Sequence, residues 1–244
     1  MASTLKTNAI EPEGGTTNMV VGESGQNTVI GNNDIRANVL QDSGGNAIFT
    51  SDGSGNLSGV SSDFGGAEVL ISSQTVSNQA SVSFTSGIDS TYGEYIFKFY
   101  NINPATDSAK FQCQWNAVGG SGFDETFTSA SFDAYHNEDN NATNFVYVTA
   151  QGPSQTSGTQ LLAQTIGNGA DESLAGEFRL FSPASTTYIK HYISEVNFYH
   201  GVGNGTSVRT RVAGYINTTT AIDEIEFKMN TGNFDGTIKM WGSK

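Results

Sequence analysis

The sequence has little cysteine, little charge and few basic residues. Cys113 is its one cysteine, which excludes an intrachain disulfide framework and a cysteine-ligated zinc site. Charged residues make up 14% of the chain, and 24 Asp and Glu against 11 Lys and Arg give a formal net charge of −13. This charge repels phosphate backbones and anionic lipid surfaces, so we expect neither nucleic acid nor a membrane as a partner.

Long apolar runs are also missing. No stretch approaches the roughly 18 consecutive apolar residues of a membrane-spanning helix, and residues 1–15, MASTLKTNAIEPEGG, contain no apolar core of a signal peptide. We therefore expect a protein that neither spans a membrane nor carries an export signal.

Sequence motifs of catalysis are absent as well. The chain has no Gly-x-Ser-x-Gly nucleophile elbow, no HExxH zinc helix and no phosphate-binding P-loop. The segment GVGNG at 201–205 lies between predicted strands and is interpreted as a tight turn. We predict no enzymatic activity, no catalytic residue, no cofactor and no metal site.

Alternating apolar and polar residues dominate the chain from residue 67 onward. Phe111, Cys113 and Trp115 share one face of KFQCQWN, and Ile225 and Phe227 alternate with Glu224 and Glu226, as in half-buried strands. We interpret Cys113 as a small buried hydrophobic residue. About ten such strands, separated by Gly, Asn and Ser turns and without a helical stretch, predict an all-β fold: an antiparallel, jelly-roll-like β-sandwich over residues 67–244.

Residues 1–66 have a different composition. The stretch NVLQDSGGNAIFTSDGSGNLSG, residues 38–59, places single or paired apolar residues between Gly, Ser, Asn and Asp. No single copy of such a segment can enclose a core, so we expect identical chains to lie side by side and cover these residues. The alternative is a flexible Gly/Ser-rich tail. The predicted domains are an N-terminal segment, 1–66, in which identical chains associate, and the sandwich, 67–244.

The segment SFDAYHNEDNN, residues 131–141, is the densest group of carboxylate, imidazole and aromatic side chains. We interpret it as an exposed, solvated turn. The alternatives are a ligand-facing loop, because aromatic and acidic side chains together suit sugar binding by stacking and hydrogen bonding, and a calcium loop, although the spacing is not that of a known calcium loop. The candidate residues for contact with a ligand are Asp133, Tyr135, His136, Glu138 and Asp139.

Two further pairs of side chains are of interest. His191 and His200 flank the predicted strand HYISEVNFYH and are interpreted as surface or interface histidines, because no third metal ligand is suggested. Arg209 and Arg211 lie on one side of their strand. They either belong to a solvated face or pair with acidic residues of a neighbouring chain.

Several segments across nearly the whole chain support a family resemblance: STLKTNAIEP, VLQDSGGNAIFTSDGSGNLSGV, YIFKFYNINPATDSAKFQ, IGNGADES, SPASTTYIKH and AGYINTTTAIDEIEFKMNTGNFDGTIKMWG. With them the chain resembles a family of virion structural proteins of tailed phages, particularly phages of marine cyanobacteria. Its most specific part is the final stretch, since such proteins finish in a hairpin of the F.M..GN...GTIK.YG kind. Trp241 stands where Tyr is expected and keeps the aromatic side chain.

The resemblance implies a virion appendage assembled in the bacterial cytoplasm, commonly a homotrimer with an N-terminal anchor and an outward β domain. It therefore implies that residues 1–66 are the attachment and trimerisation segment and that residues 67–244 face outward. The expected function is a tail-fibre or spike component for host attachment, with a host-surface glycan or protein as its receptor. The alternative is a capsid decoration or head-fibre protein that stabilises the capsid. In both cases the N-terminal segment would contact other virion proteins, of the tail or of the capsid. A third alternative is a glycan-cleaving spike enzyme, which needs two carboxylates at catalytic separation.

Overall fold

The computed structural model describes residues 39–41, 44, 46–51, 54, 57–60, 68–202 and 205–244. The chain divides into two compact units, Met1–Ser61 and Ser62–Lys244. All strand pairings of the described residues are antiparallel. Within that part of the chain, the one helical element is a 3₁₀ turn at Thr149–Gln151. The prediction of an all-β fold is confirmed.

The N-terminal unit contains a small antiparallel sheet of strand order β1-β2-β3. Its strands are β1 (Val39–Gln41), β2 (Ala47–Ser51) and β3 (Leu57–Val60). Leu40 is 43% exposed, and Ile48 and Phe49 are half-buried. Short strands therefore carry the apolar residues of this stretch, whereas residues 1–38 of the predicted N-terminal segment lie outside the described residues.

The C-terminal unit is a sandwich of a large and a small sheet. The large sheet has the strand order β4-β15-β6-β11-β12-β13-β8-β9, and the small sheet has the order β10-β7-β14-β5. The prediction of an antiparallel sandwich is confirmed. The strands are β4 (Glu68–Gln79), β5 (Ser81–Phe84), β6 (Glu94–Pro104), β7 (Ala109–Ala117), β8 (Phe127–Asn137), β9 (Thr143–Tyr147), β10 (Gln160–Ile166), β11 (Leu174–Phe181), β12 (Lys190–Tyr199), β13 (Thr206–Ile216), β14 (Ile222–Met229) and β15 (Phe234–Ser243).

The large sheet joins strands that are distant in the chain. β15, the last strand of the unit in chain order, lies between β4, the first, and β6.

The predicted boundary between residues 66 and 67 falls in 61–67, outside the described residues. β4 is an edge strand that continues to Gln79, and its polar side chains from Ser73 onward are largely solvent-facing.

Aromatic rings fill the space between the two sheets. Phe227 on β14 is fully buried, and its ring centroid lies 5.3 Å from that of Phe97 and 5.1 Å from that of Phe99, both on β6. Trp115 on β7 lies 4.8 Å from Tyr192 on β12 in the same way. The predicted period-2 alternation explains this, because it places alternate side chains of β7 and β14 toward the large sheet.

Cys113 lies in this core as a free thiol with no exposed surface. Burial raises the pKa of the thiol well above its ordinary value, because the thiolate would lose its hydration. The interpretation of Cys113 as a small buried hydrophobic residue is confirmed.

The outward face of the large sheet carries ion pairs between neighbouring strands. Arg209 lies 2.6 Å and Arg211 3.8 Å from carboxylate oxygens of Glu195, on the adjacent strand β12 of the same chain. Their pairing is therefore within one chain on a solvent-exposed face, where ion pairs add little stability. Nearer the opposite edge, the Lys98 ammonium lies 2.6 Å from Glu68 and also 5.3 Å from the Trp241 ring centroid.

Candidate functional site

A cleft of about 460 Å³ opens between the two sheets where the large sheet extends past β10, the edge strand of the small sheet. We call it the inter-sheet cleft. Its floor comes from β8, β9, β12 and β13, and one wall comes from β10. The side chains that matter for its chemistry are Asp133, Tyr135, Gln164, Thr165, Phe198 and His200.

Cross-strand pairing brings the floor residues together. Tyr135 on β8 pairs with Val208 on β13, which pairs in turn with Phe198 on β12. One step along the sheet, Asp133 pairs with Thr210. These residues share the inward face because side chains alternate along each strand, so an apolar row lies beside a polar pair.

A bulge shapes the wall of the cleft. The pairing of β10 with β7 shifts register between Ala163 and Ile166, and the two intervening residues, Gln164 and Thr165, both line the cleft. Bulges redirect side chains in this way and are common beside functional sites. Thr165 adopts a left-handed backbone with φ of 54°, which is strained for a β-branched residue.

The end of the cleft is closed by the segment that follows β12. His200 forms an isolated antiparallel bridge with Ile166, and the Gly201 amide donates to the Thr165 carbonyl at 2.8 Å. The Nδ1 atom of His200 lies 2.9 Å from the carbonyl oxygen and 3.2 Å from the amide nitrogen of Val202. Nδ1 interacts with the backbone in either tautomer, and Nε2 has no hydrogen-bond partner among the residues that the structure describes, so Nε2 is the ring nitrogen that can contact a ligand.

Asp133 is the acidic group of the cleft. Its Oδ1 accepts a hydrogen bond from the Thr210 hydroxyl at 2.6 Å. Burial raises the pKa of the Asp133 carboxyl, although the Thr210 hydrogen bond and the charge of His200 act in the opposite direction. The carboxylate is thus oriented by one partner and partly removed from water, which strengthens its hydrogen bonds to a ligand.

A buried polar network supports the sandwich beside the cleft. The Ser131 hydroxyl donates to Gln151 Oε1 at 2.8 Å, and Gln160 Nε2 donates to the Gln151 carbonyl at 2.8 Å. The Tyr192 hydroxyl donates to Gln160 Oε1 at 2.8 Å. Since Ser131 lies on β8 and Gln160 on β10, the network fixes the large sheet against the edge of the small one.

The five sequence-predicted site residues divide between two places. Asp133 and Tyr135 line the inter-sheet cleft, whereas His136 and Glu138 line a neighbouring depression at the ends of the strands. Asp139 lies in the turn after β8. The prediction that Asp133, Tyr135 and His136 belong to a loop is wrong, because they lie on β8. The strand was obscured by its inward face, which carries Ser129, Ser131 and Asp133 where a typical strand carries apolar residues.

Sequence reasoning missed the residues that complete the cleft. Gln164 and Thr165 lie on β10, and a bulge has no pattern of its own in QLLAQTIG. His200 was noted as a histidine at the end of a strand, and its proximity to β10 depends on the sheet order. His191, the other histidine noted there, is exposed, and its ring centroid lies 6.3 Å from that of Tyr215.

A metal-ligand cluster and a membrane-spanning helix are both missing from the described ranges. No group of three or more His, Cys, Asp or Glu side chains among these residues is arranged to hold a metal ion. None of the helical structure in that part of the chain is long and apolar enough to cross a membrane.

Comparison with known proteins adds no identification. No protein-family model, no curated protein and no solved structure matches the chain.

Proposed function

We propose that this chain is a non-enzymatic structural protein of a tailed-phage virion, which displays its sandwich outward and contacts the host surface through the inter-sheet cleft. The main support for contact with a host-surface ligand is the cleft. It has a volume of about 460 Å³ and combines aromatic and aliphatic surface with a few convergent polar groups. Clefts of this size and composition are typical small-molecule sites.

The polar groups of the cleft favour binding over hydrolysis. Asp133 is the one carboxylate among the described residues that line it. Most glycoside hydrolases use a pair of carboxyl groups on either side of the bond that is cleaved. A single carboxylate can orient a ligand but does not provide this acid and base pair.

The N-terminal unit supports the attachment and trimer part of the proposal. Its described strands are three to five residues long, and Leu40, Ile48 and Phe49 are not fully covered within one chain. A three-stranded sheet is stable by itself only when its hydrophobic face is covered. We propose that copies of the unit pack together as a homotrimer and attach the protein to the particle.

The resemblance described above supports a virion protein in particular. The resembling segments include residues 39–60, which contain β1 to β3, and residues 213–242, which contain β14 and most of β15. They therefore belong to both units, as expected when one family contributes both the anchor and the displayed domain.

Electron microscopy tests the position on the particle. Purified protein is incubated separately with tail-less heads and with isolated tails that lack this component, and both are imaged in negative stain. Decorated tails are expected for a fibre or spike. Decoration of heads alone would replace this function by the capsid-stabilising one. Light scattering of the purified protein measures the oligomer, and a single-chain mass would contradict the trimer.

Binding to cells tests the role of the cleft. The double variant Asp133→Ala, Gln164→Ala should bind marine cyanobacterial host cells at least about tenfold more weakly than the wild type, because it removes two polar contacts. Asp124→Asn is the control, since it removes an exposed acidic charge outside the cleft. Equal cell binding by the wild type and the double variant would refute a role of the cleft.

A further inference from the structure

We infer that the ligand of the inter-sheet cleft is a neutral sugar ring of a host-surface glycan. This inference rests on the proposed function, because it assigns a ligand class to the same cleft. Its volume of about 460 Å³ lies within the range of about 300–1,000 Å³ that holds small molecules. The ligand is therefore a compact chemical group and not the flat surface of a folded partner.

The polar groups of the cleft fit a ligand with several hydroxyls. The Asp133 carboxylate accepts hydrogen bonds, the Gln164 amide both donates and accepts, and the Nε2 atom of His200 does one or the other according to its tautomer. Each belongs to a different element: β8, β10 and the segment after β12. Sugar hydroxyls both donate and accept, so one ring can satisfy such a set from several directions.

The apolar row of the floor fits the other side of a sugar ring. Tyr135 is half-buried and Phe198 is buried, with Val208 between them in the sheet. A pyranose has a face of C–H groups that packs on aromatic and aliphatic surface, and Tyr adds a polar end. Polar groups on the floor and wall, next to an apolar row on the floor, favour a sugar over an ion or a purely apolar ligand.

The charge of the cleft selects among sugars. No Lys or Arg is found among the described residues that line it, and Asp133 contributes a carboxylate. The adjacent depression shares Phe198 with the cleft and adds Glu138 and Asp171. A uronate, sulfate or phosphate group bound in the cleft would be repelled by the Asp133 carboxylate, because charges closer than the Debye length of about 8 Å at physiological salt are only partly screened. Neutral sugars are therefore favoured over acidic ones.

Calorimetry or ligand-observed NMR with the full-length protein tests this inference. The probes are neutral hexose oligosaccharides, oligouronates of the same length and a lysine-rich peptide. We expect the neutral oligosaccharide to bind at least about tenfold more tightly than the uronate at low salt, with a smaller difference at 1 M salt, where the Debye length falls to about 3 Å. Gln164→Ala should weaken neutral-sugar binding about tenfold, and Asp124→Asn should leave it unchanged.

Asp133→Asn separates the charge of Asp133 from its shape. The amide still accepts from Thr210 but has no charge, so the variant should bind the uronate more tightly than the wild type does and reduce the preference for neutral sugar. Equal or tighter binding of the uronate by the wild type would overturn the inference, as would binding of the lysine-rich peptide without any sugar. If cell binding depends on the cleft but neutral sugar does not compete, the inference fails while the proposed function stands. If cell binding is independent of the cleft, the proposed function fails.

Discussion

Thr165→Gly should stabilise the sandwich, although it removes a half-buried side chain. Thr165 has a φ of 54°, and the left-handed conformation costs an L-residue about 1–2 kcal/mol. Glycine adopts this conformation without that cost, but its backbone entropy in the unfolded state offsets about 0.5–1 kcal/mol. These two terms leave a net gain of about 0–1.5 kcal/mol in the free energy of unfolding, and the middle of this range corresponds to about 2 °C in Tm for a domain of this size.

Urea unfolding followed by tryptophan fluorescence measures the stability of the C-terminal unit, to which Thr165 belongs. The two tryptophans of the chain, Trp115 and Trp241, both belong to the sandwich, so the signal excludes the N-terminal unit. Thr75→Gly is the matched control, because Thr75 lies exposed on β4 without a positive φ. That variant should lose about 0.5–1 kcal/mol. If Thr165→Gly loses as much as Thr75→Gly, Thr165 is not strained.

The same variant connects strain with binding. Strained residues persist where the surrounding structure holds them, and they concentrate at functional sites. We therefore expect Thr165→Gly to be more stable than the wild type and to bind the ligand of the cleft more weakly. Unchanged ligand affinity would show that the bulge of β10 has no part in recognition.

Three further predictions concern the core. Phe227→Ala should lower the free energy of unfolding in urea by about 3–5 kcal/mol, because it empties the centre of the aromatic core. Phe145→Ala, at a residue 65% exposed, should change it by no more than about 0.5 kcal/mol, and similar losses for the two variants would contradict the packing. Burial lowers the pKa of Lys190, so the folded state binds fewer protons than the unfolded state, and the stability of the wild type relative to Lys190→Met should rise with pH in the alkaline range below about 10.5. If the stability difference between the two proteins does not change with pH, Lys190 titrates normally. The Cys113 thiol should react with a thiol reagent only when urea unfolds the sandwich, and rapid labelling of the native protein would contradict its burial.

The core could be predicted from the sequence because the alternation of apolar and polar residues that defines it lies within single strands. Ile225, Phe227 and Met229 alternate with charged residues, and all three are buried on β14. The same holds for Phe111 and Trp115 on β7. Such alternation is visible within a single strand, since the inward faces of β7 and β14 carry apolar residues whatever strands lie beside them.

The cleft could be predicted only in part because it depends on which strands are neighbours. Asp133 and Tyr135 were found by their chemistry, although their strand was mistaken for a loop. Gln164 and His200 join them because β10 ends beside the segment after β12, and that proximity follows from the order of the sheets. A single sequence carries no local signal for sheet order, or for a bulge that turns two adjacent residues toward one cleft.

The position of β15 has a consequence for how the protein is made. Residues 234–243 fill the gap between β4 and β6, so during synthesis the large sheet stays in two parts until these residues have been added. Contacts between such distant parts of a chain form slowly. A polypeptide released before residue 234 would leave both neighbours of β15 with open edges, which invite aggregation and proteolysis. The fold therefore discriminates against incomplete translation products, because the large sheet closes only when the last strand is present.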